Sequence, residues 1–525
     1  MAALVLAAVA FAYLPAVPGE FLWDDHAAIV GNLDVHELAR LPRALVSSFW
    51  SVGGTEVESR INLYYRPVVT LANALLWQAG GGLPWPFHLA DVLLHLACVA
   101  LFAGLLRRRL GPGSEVVAWA AAGLFALFPA RAESVTWVSA STDLFAALFL
   151  LLGMKAFDEL RGSRRLAATS AAFVLALFSK EVAVVAPALL LLDGVLLRRG
   201  ELKARLATLL PVSAAIAFRA AILPTAPSLL AEGWADLLRI PSSLGLYLAK
   251  TVWPWSPSLL VAGRIRNENG HFDYEPWTVA LGLAFGAALV AGAVVAWRKA
   301  GARTWTADLS WFALLLLPVL NLVPTSVTHL VAERNLYLAH LGLFALVARG
   351  AWAVPAGGRW ALLPFAAAAA MAFSSVTVQH VMRLGSQEET WSYEEQRHPD
   401  DVTLLGFKSR IHRGLGRTRE AAEYALRIYE AQRYPPERAA TAATLLALAA
   451  DLEAEKEELE ALVCYVDRLR SRDPVGTFRI LGKEVGLAAS PELRARSAGL
   501  PEVRLARETA SRKLARLAAA AERSP

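Results

Sequence analysis

Charge is scarce in this chain. Only 19% of its 525 residues are Asp, Glu, Lys or Arg, against roughly 25% in an ordinary soluble domain. Cysteine is scarcer still: Cys98 and Cys464 are too few and too far apart for a disulfide framework or a cysteine-built metal site. No Gly-Lys-Ser/Thr follows Gly80-Gly81-Gly82, so that triplet is not a phosphate loop, and no Gly-x-Ser-x-Gly elbow occurs. The net charge of +6 sits in clusters at helix ends, as topology signals do, and gives no nucleic-acid footprint. What is abundant is apolar sequence: 56% of residues are hydrophobic and the mean hydropathy is +0.42.

Apolar runs recur from Met1 to about His380, each near the roughly 20 residues a helix needs to cross hydrocarbon. The pattern predicts an all-α polytopic membrane protein with crossings near 2–17, 85–106, 116–130, 142–157, 166–179, 181–197, 206–222, 277–297, 308–323, 335–348 and 360–380. The N-terminal run lacks a basic flank and reads as a retained helix rather than a cleaved signal. Basic residues bunch in alternate connections: Arg107–Arg109, Lys155 to Arg165, Arg198 to Arg205, Arg298 to Arg303, and Arg349 with Arg359. The positive-inside rule places these in the cytoplasm. The segment 18–67 and the turns near Glu133, Lys180, 223–276 and Glu333 then face outward, and so does the C-terminus. Two shorter apolar stretches, 68–79 and 240–253, read as interfacial or re-entrant helices. Trp253-Pro254-Trp255 and the run to Trp277 read as interfacial anchors.

After about Leu384 the composition turns to Ala, Glu, Arg and Leu with helical periodicity. Gly416-Arg417-Thr418-Arg419-Glu420-Ala421 is similar to the turn and second-helix start of a tetratricopeptide repeat. His398-Pro399-Asp400-Asp401 suits the boundary between such units, and a more degenerate pair is expected at 437–471. The division is therefore a membrane domain, 1–383, and a soluble, outward-facing repeat-like domain, 384–525.

The polar residues of the outward face cluster. They are Asp24, Asp25 and His26; Tyr64-Tyr65-Arg66-Pro67; Arg131 and Glu133; Asp143; Lys180-Glu181; and Glu333-Arg334. A single ionisable residue at a helix end is often an interfacial anchor, an N-cap or half of a local salt bridge. Carboxylates and bases gathered on one face suit more. Carboxylates can take a proton from a hydroxyl or hold a divalent cation, and Arg or Lys can bind a departing phosphate. His88, Asp91 and His95 share one helix face, where polar contacts inside the bundle fit better than a metal site without a fourth ligand.

At these residues the chain resembles the transmembrane and tetratricopeptide-repeat-containing O-mannosyltransferases and their bacterial relatives, within the GT-C superfamily of polyprenyl-phosphate-sugar-dependent glycosyltransferases. The likeness is carried by Phe21-Leu22-Trp23-Asp24-Asp25; Tyr64-Tyr65-Arg66-Pro67-Val68-Val69; Phe87-His88-Leu89 with Leu94-His95; and Pro129 with Glu133-Ser134-Val135. It continues through Trp137-Val138-Ser139, Asp143-Leu144, Ser179-Lys180-Glu181, and Ala332-Glu333-Arg334 with Tyr337-Leu338. It departs at Phe128, where that family usually has His, and at Ser141-Thr142, where it often has Arg-Lys.

The resemblance implies a GT-C-type bundle that moves a monosaccharide, a mannose-like hexose among them, from a polyprenyl-phosphate donor to a protein or glycan hydroxyl. It implies Asp24 or Asp25 as catalytic base and Glu133 as a second acid. Arg334 and Lys180 would meet the donor phosphate, with Glu181, Arg66, Tyr65, Arg131, Glu333, Asp143 and His26 around them. A divalent cation (Mg or Mn) would fall to Asp25 and Glu133. The implied setting is a bacterial inner membrane with the site on the outer side, and the repeat-like domain engaging the acceptor. A non-catalytic scaffold displaying that domain, and a lipid or sugar flippase, are the alternative readings. Nucleic acid is not an expected partner.

Overall fold

The computed structural model describes residues 1–50, 64–223, 235–263, 274–320, 329–414, 417–432 and 441. The described chain is all-α. Its longer helices are α1 (Ala2–Tyr13), α2 (Pro67–Gly80), α3 (Trp85–Leu110), α4 (Glu115–Leu127), α5 (Arg131–Thr136), α6 (Thr142–Glu159), α7 (Gly162–Leu177) and α8 (Ala186–Leu196). They continue as α9 (Leu202–Ala207), α10 (Leu209–Ile222), α11 (Arg239–Val252), α12 (Pro276–Arg298), α13 (Arg303–Leu316), α14 (Leu336–Ala353), α15 (Leu362–Leu384) and α16 (Gln387–Arg397). Two short strands, Val261–Gly263 and His329–Val331, form a two-stranded sheet.

Described helices overlap each of the predicted crossings, the end of 308–323 lying outside the described residues. Among the described residues, six helical segments are long and apolar enough to span a bilayer: Trp85–Leu110, Val138–Glu159, Leu202–Ile222, Pro276–Val295, Glu333–Ala353 and Ala356–Leu384. The stretches expected to be interfacial are α2 and α11, each of 14 residues, about 21 Å long at 1.5 Å per residue and so short of a full crossing.

The reasons for helix formation are local. In α3, Pro86 occupies the first turn, where a missing amide proton costs nothing. Arg107, Arg108 and Arg109 fill its last turn against the negative end of the helix dipole. Gly111 then takes φ 93°, outside the range most side chains tolerate, and ends the helix. Along α3, Phe87, His88, Asp91, His95, Val99 and Phe102 recur at helical spacing and are buried. Phe102, Phe125 and Tyr337 join α3, α4 and α14 through ring contacts of 5.2 Å (Phe102–Phe125) and 5.3 Å (Phe125–Tyr337). Where α11 crosses α12, Gly245 and Gly282 let the backbones touch: a Cβ on Gly282 would lie 1.8 Å from the Pro241 carbonyl oxygen.

At the Arg109 end of α3, a buried ion network ties four helices. Arg109 bonds Asp308 at 2.6 Å and also pairs with Asp193, while Arg349 pairs with the second oxygen of Asp308. The Trp311 indole donates to Asp193 at 3.2 Å. Every member has a partner, the condition under which buried charge is tolerated.

Residues 1–262 and 274–397 form one compact unit. Helix α16 belongs to it: the Gln387 amide donates to Glu20 and the Glu20 amide to the Gly385 carbonyl. Glu394 on α16 accepts from the Leu259 amide at 2.9 Å and the Ser258 hydroxyl at 2.6 Å. In the second unit the described part is a helical hairpin, Val402–Gly414 and Thr418–Ala431. Asp401 caps its first helix, accepting from the Thr403 and Leu404 amides. Leu404, Leu405, Ala421 and Ala425 fill its interface. The further pair expected at 437–471 lies, Thr441 aside, outside the described residues.

Candidate active site

The first connection is gripped by the second. Trp23 adopts φ 48°, a left-handed conformation unusual for a bulky residue. The turn folds the chain back so that both Asp25 oxygens are used. Oδ2 accepts from the Leu22 amide at 2.9 Å, and Oδ1 accepts from the Ser139 amide at 2.7 Å and from the Ser139 hydroxyl. The Trp137 indole donates to the Leu22 carbonyl at 3.1 Å, and the Trp23 ring stacks on Trp137 at 5.4 Å and 5°. Asp25 is wholly buried. Burial pushes its carboxyl up to about 7 against the opposing pull of the Ser139 and Leu22 hydrogen bonds. Asp24, one residue earlier, stays partly exposed, and its charge contributes to the field at Arg334. His26 is exposed, with Nε2 2.8 Å from the Gln387 amide nitrogen.

The two acid–base dipeptides reach outward instead of pairing with themselves. Lys180 places Nζ 2.7 Å from each oxygen of Asp143 and 2.9 Å from Asn335 Oδ1, so its three protons are all engaged. It is buried, and that burial lowers its ammonium below the ordinary lysine range while Asp143 opposes the shift. Glu181 instead accepts from Arg66, at 3.3 Å from Nε and 3.0 Å from Nη2, with Arg219 at 3.9 Å. Arg66 is steadied by the Tyr64 ring 4.6 Å away. Glu333 takes Lys250 at 2.7 Å and the Ser258 amide at 3.2 Å.

Arg334 crosses to Glu133. Its backbone amide donates to Glu133 Oε2 at 2.8 Å, and its Nη1 donates to Oε1. The guanidinium carbon lies over the Trp137 ring, 4.7 Å from its centroid. Nε and Nη2 make no hydrogen bond to other described residues, and the side chain keeps 29% exposure. Among the clustered cations, Arg334 therefore combines a fixed orientation with unused donors.

Other sequence candidates are placed differently. Arg131 is buried, bonded to His340, and its guanidinium lies 4.9 Å from the Phe125 ring and 5.1 Å from the Tyr337 ring. Tyr65 donates to the Leu45 carbonyl at 2.7 Å and packs on Phe178. His88 and His95 make contacts inside the bundle, to the Glu20 carbonyl at 3.3 Å and the Tyr337 hydroxyl at 2.7 Å. Among the described residues no group of three or more His, Cys, Asp or Glu is gathered as metal ligands. Asp25 and Glu133 fit a cation poorly, because their oxygens already face Leu22, Ser139 and Arg334.

Several participants were not singled out from sequence. Ser139 sits inside a quoted motif, yet a lone serine carries no sign that it holds a carboxylate 114 positions away. Lys250 is a lysine of α11 whose ammonium meets the buried Glu333, and Asn335 is the residue next to Arg334. Only their contacts reveal them.

Comparison with known proteins gives partial relatives. Over 155 residues the chain is 34% identical to protein O-mannosyl-transferase TMTC2 of Homo sapiens, covering 29% of this chain and 18% of that protein. It is 34% identical over 177 residues to protein O-mannosyl-transferase Tmtc1 of Drosophila melanogaster, covering 33% and 20%. It is 33% identical over 161 residues to protein O-mannosyl-transferase TMTC4 of Homo sapiens, covering 27% and 21%. The chain thus spans about a fifth of the length of these curated relatives. No family model and no solved structure matches it.

Proposed function

We propose that the chain is a membrane glycosyltransferase that moves a sugar, a mannose-like hexose, from a polyprenyl-phosphate donor to a hydroxyl of a protein or glycan. The observation that carries this reading is Arg334: pinned by Glu133, set over Trp137, with two nitrogens that make no hydrogen bond to other described residues. A planar guanidinium so fixed suits a phosphate oxygen pair. Asp24 is the base. It takes the proton of the acceptor hydroxyl as that oxygen attacks the anomeric carbon. The bond from that carbon to the phosphate oxygen breaks, and the polyprenyl phosphate leaves with the added negative charge facing Arg334. Asp24 then returns its proton to water. A single displacement of this kind inverts the anomeric configuration.

Asp25 has a different part in this reading. With its oxygens engaged by three donors and no exposed surface, it shapes the turn that presents Asp24. Lys180, all protons engaged, braces α6 to the Asn335 turn. The names of the partial relatives support sugar transfer as the class of reaction. We place the site on the outer face of a bacterial inner membrane, with the helical hairpin after His398 part of an acceptor-engaging domain.

The test is transfer by the purified chain from radiolabelled polyprenyl-phosphate mannose to a peptide or glycan acceptor. Label in the product with inverted configuration is expected. No transfer from any polyprenyl-phosphate sugar, by a folded preparation, would leave the scaffold reading in its place.

A further inference from the structure

A second polar site lies far from Asp24. Helix α3 has 26 residues, so its Arg107–Arg109 end is about 39 Å from its Trp85 end at 1.5 Å per residue. Beside Arg108 opens a cavity of about 320 Å³ lined by Arg108, Arg161, Arg199, Arg205, Asp158 and Glu201. Four guanidiniums face two carboxylates, a surplus of two positive charges.

The internal pairing leaves capacity. Arg108 and Arg199 share Asp158, at 3.4 Å and 3.5 Å, and Arg108 also reaches Glu159 at 3.2 Å. Glu201 is taken by the neighbouring Arg165 at 2.6 Å. Arg161 and Arg205 donate only to carbonyl oxygens of described residues. Arg108 Nε is buried and faces Asp158 only at ion-pair distance, 3.4 Å, without a formed hydrogen bond.

The backbone at the rim is strained. Arg198 and Glu201 take φ 51° and 57°, with Gly200 at 67° between them, and strained non-glycine conformations gather where function over-determines them. Immediately beside the cavity the surface turns apolar: Leu202, Leu206, Leu209 and Leu210 are exposed along α9 and α10, at the start of a segment long and apolar enough to span a bilayer.

We propose that this cavity binds the phosphate head group of an anionic phospholipid, with the acyl chains lying along the exposed leucines of α9 and α10. Phosphate oxygens answer the surplus charge and the unused guanidinium protons. The apolar strip separates a lipid from free phosphate, which has nothing to place there. The site is independent of sugar transfer.

The delipidated full chain, in a neutral detergent, is titrated with phosphatidylglycerol, phosphatidylcholine or inorganic phosphate. Native mass spectrometry reads retention. Phosphatidylglycerol should be retained at least roughly tenfold more tightly than phosphatidylcholine, and Arg161→Gln with Arg199→Gln should lower its affinity by a similar factor. Asp158→Asn, which removes a competing carboxylate, should strengthen it. Equal retention of the two lipids, or a double variant that binds like the wild type, would overturn the site. Inorganic phosphate that displaces phosphatidylglycerol at matched concentration would overturn the lipid assignment.

Discussion

Glu133 holds Arg334 twice, through the backbone amide at 2.8 Å and through the guanidinium, across 201 positions of sequence. That double grip fixes where the guanidinium points and leaves Nε and Nη2 outside it. If those protons meet the departing phosphate, Arg334→Lys keeps the charge and loses the fork. Turnover should fall about 10²–10³-fold, the range for removing one transition-state donor. Steady-state transfer kinetics, with the thermal midpoint as control for folding, measure it.

Asp24 and Asp25 should separate cleanly. Asp24→Asn removes the base and should lower the rate per folded molecule about 10²–10⁴-fold. Asp25→Asn turns one acceptor into an amide whose protons oppose the Leu22 amide. The cost should be about 1–3 kcal/mol of stability, read by chemical denaturation in detergent.

Asp25 also sets a pH dependence. Its folded carboxyl is held at about 7, above the ordinary 3.8. Between these values the folded protein keeps a proton that the unfolded chain has lost, so Asp25's contribution to stability falls as pH rises through that window and is constant below and above it. Glu333, raised to about 7 by burial, adds a slope of the same sign, so Asp25→Asn should make the slope shallower by the share of one proton. Denaturation midpoints at a series of pH values for both proteins test the sign.

Lys180 should behave as a brace. Lys180→Met leaves Asp143 buried without its cation, a loss of about 3–5 kcal/mol. Adding Asp143→Leu should recover part of that loss. If the single variant folds normally and loses only donor affinity, Lys180 belongs at the phosphate instead.

The helices were legible because apolar runs of bilayer length, ended by basic bunches, leave few other structures. α3 illustrates it: Pro86, the Arg107–Arg109 bunch and Gly111 mark both ends. The residue types of the site were legible too, as carboxylates and bases on one face. The pairing was not. Lys180 and Glu181 are adjacent, yet their partners are Asp143 and Arg66, set by how α2, α6 and the turn after α7 meet. Sequence could not divide Asp24 from Asp25 either, because the division rests on one left-handed residue, Trp23, that turns the second carboxylate inward. Arg131 is two positions from Glu133, but its side chain goes into the aromatic core beside Phe125 and Tyr337.

The most direct test of the account is the transfer rate from a polyprenyl-phosphate sugar by Asp24→Asn and Asp25→Asn, each normalised to its folded fraction. Asp24→Asn is expected to transfer about 10²–10⁴-fold more slowly than the wild type, while folded Asp25→Asn retains transfer. Full activity in Asp24→Asn, with none in folded Asp25→Asn, would contradict it.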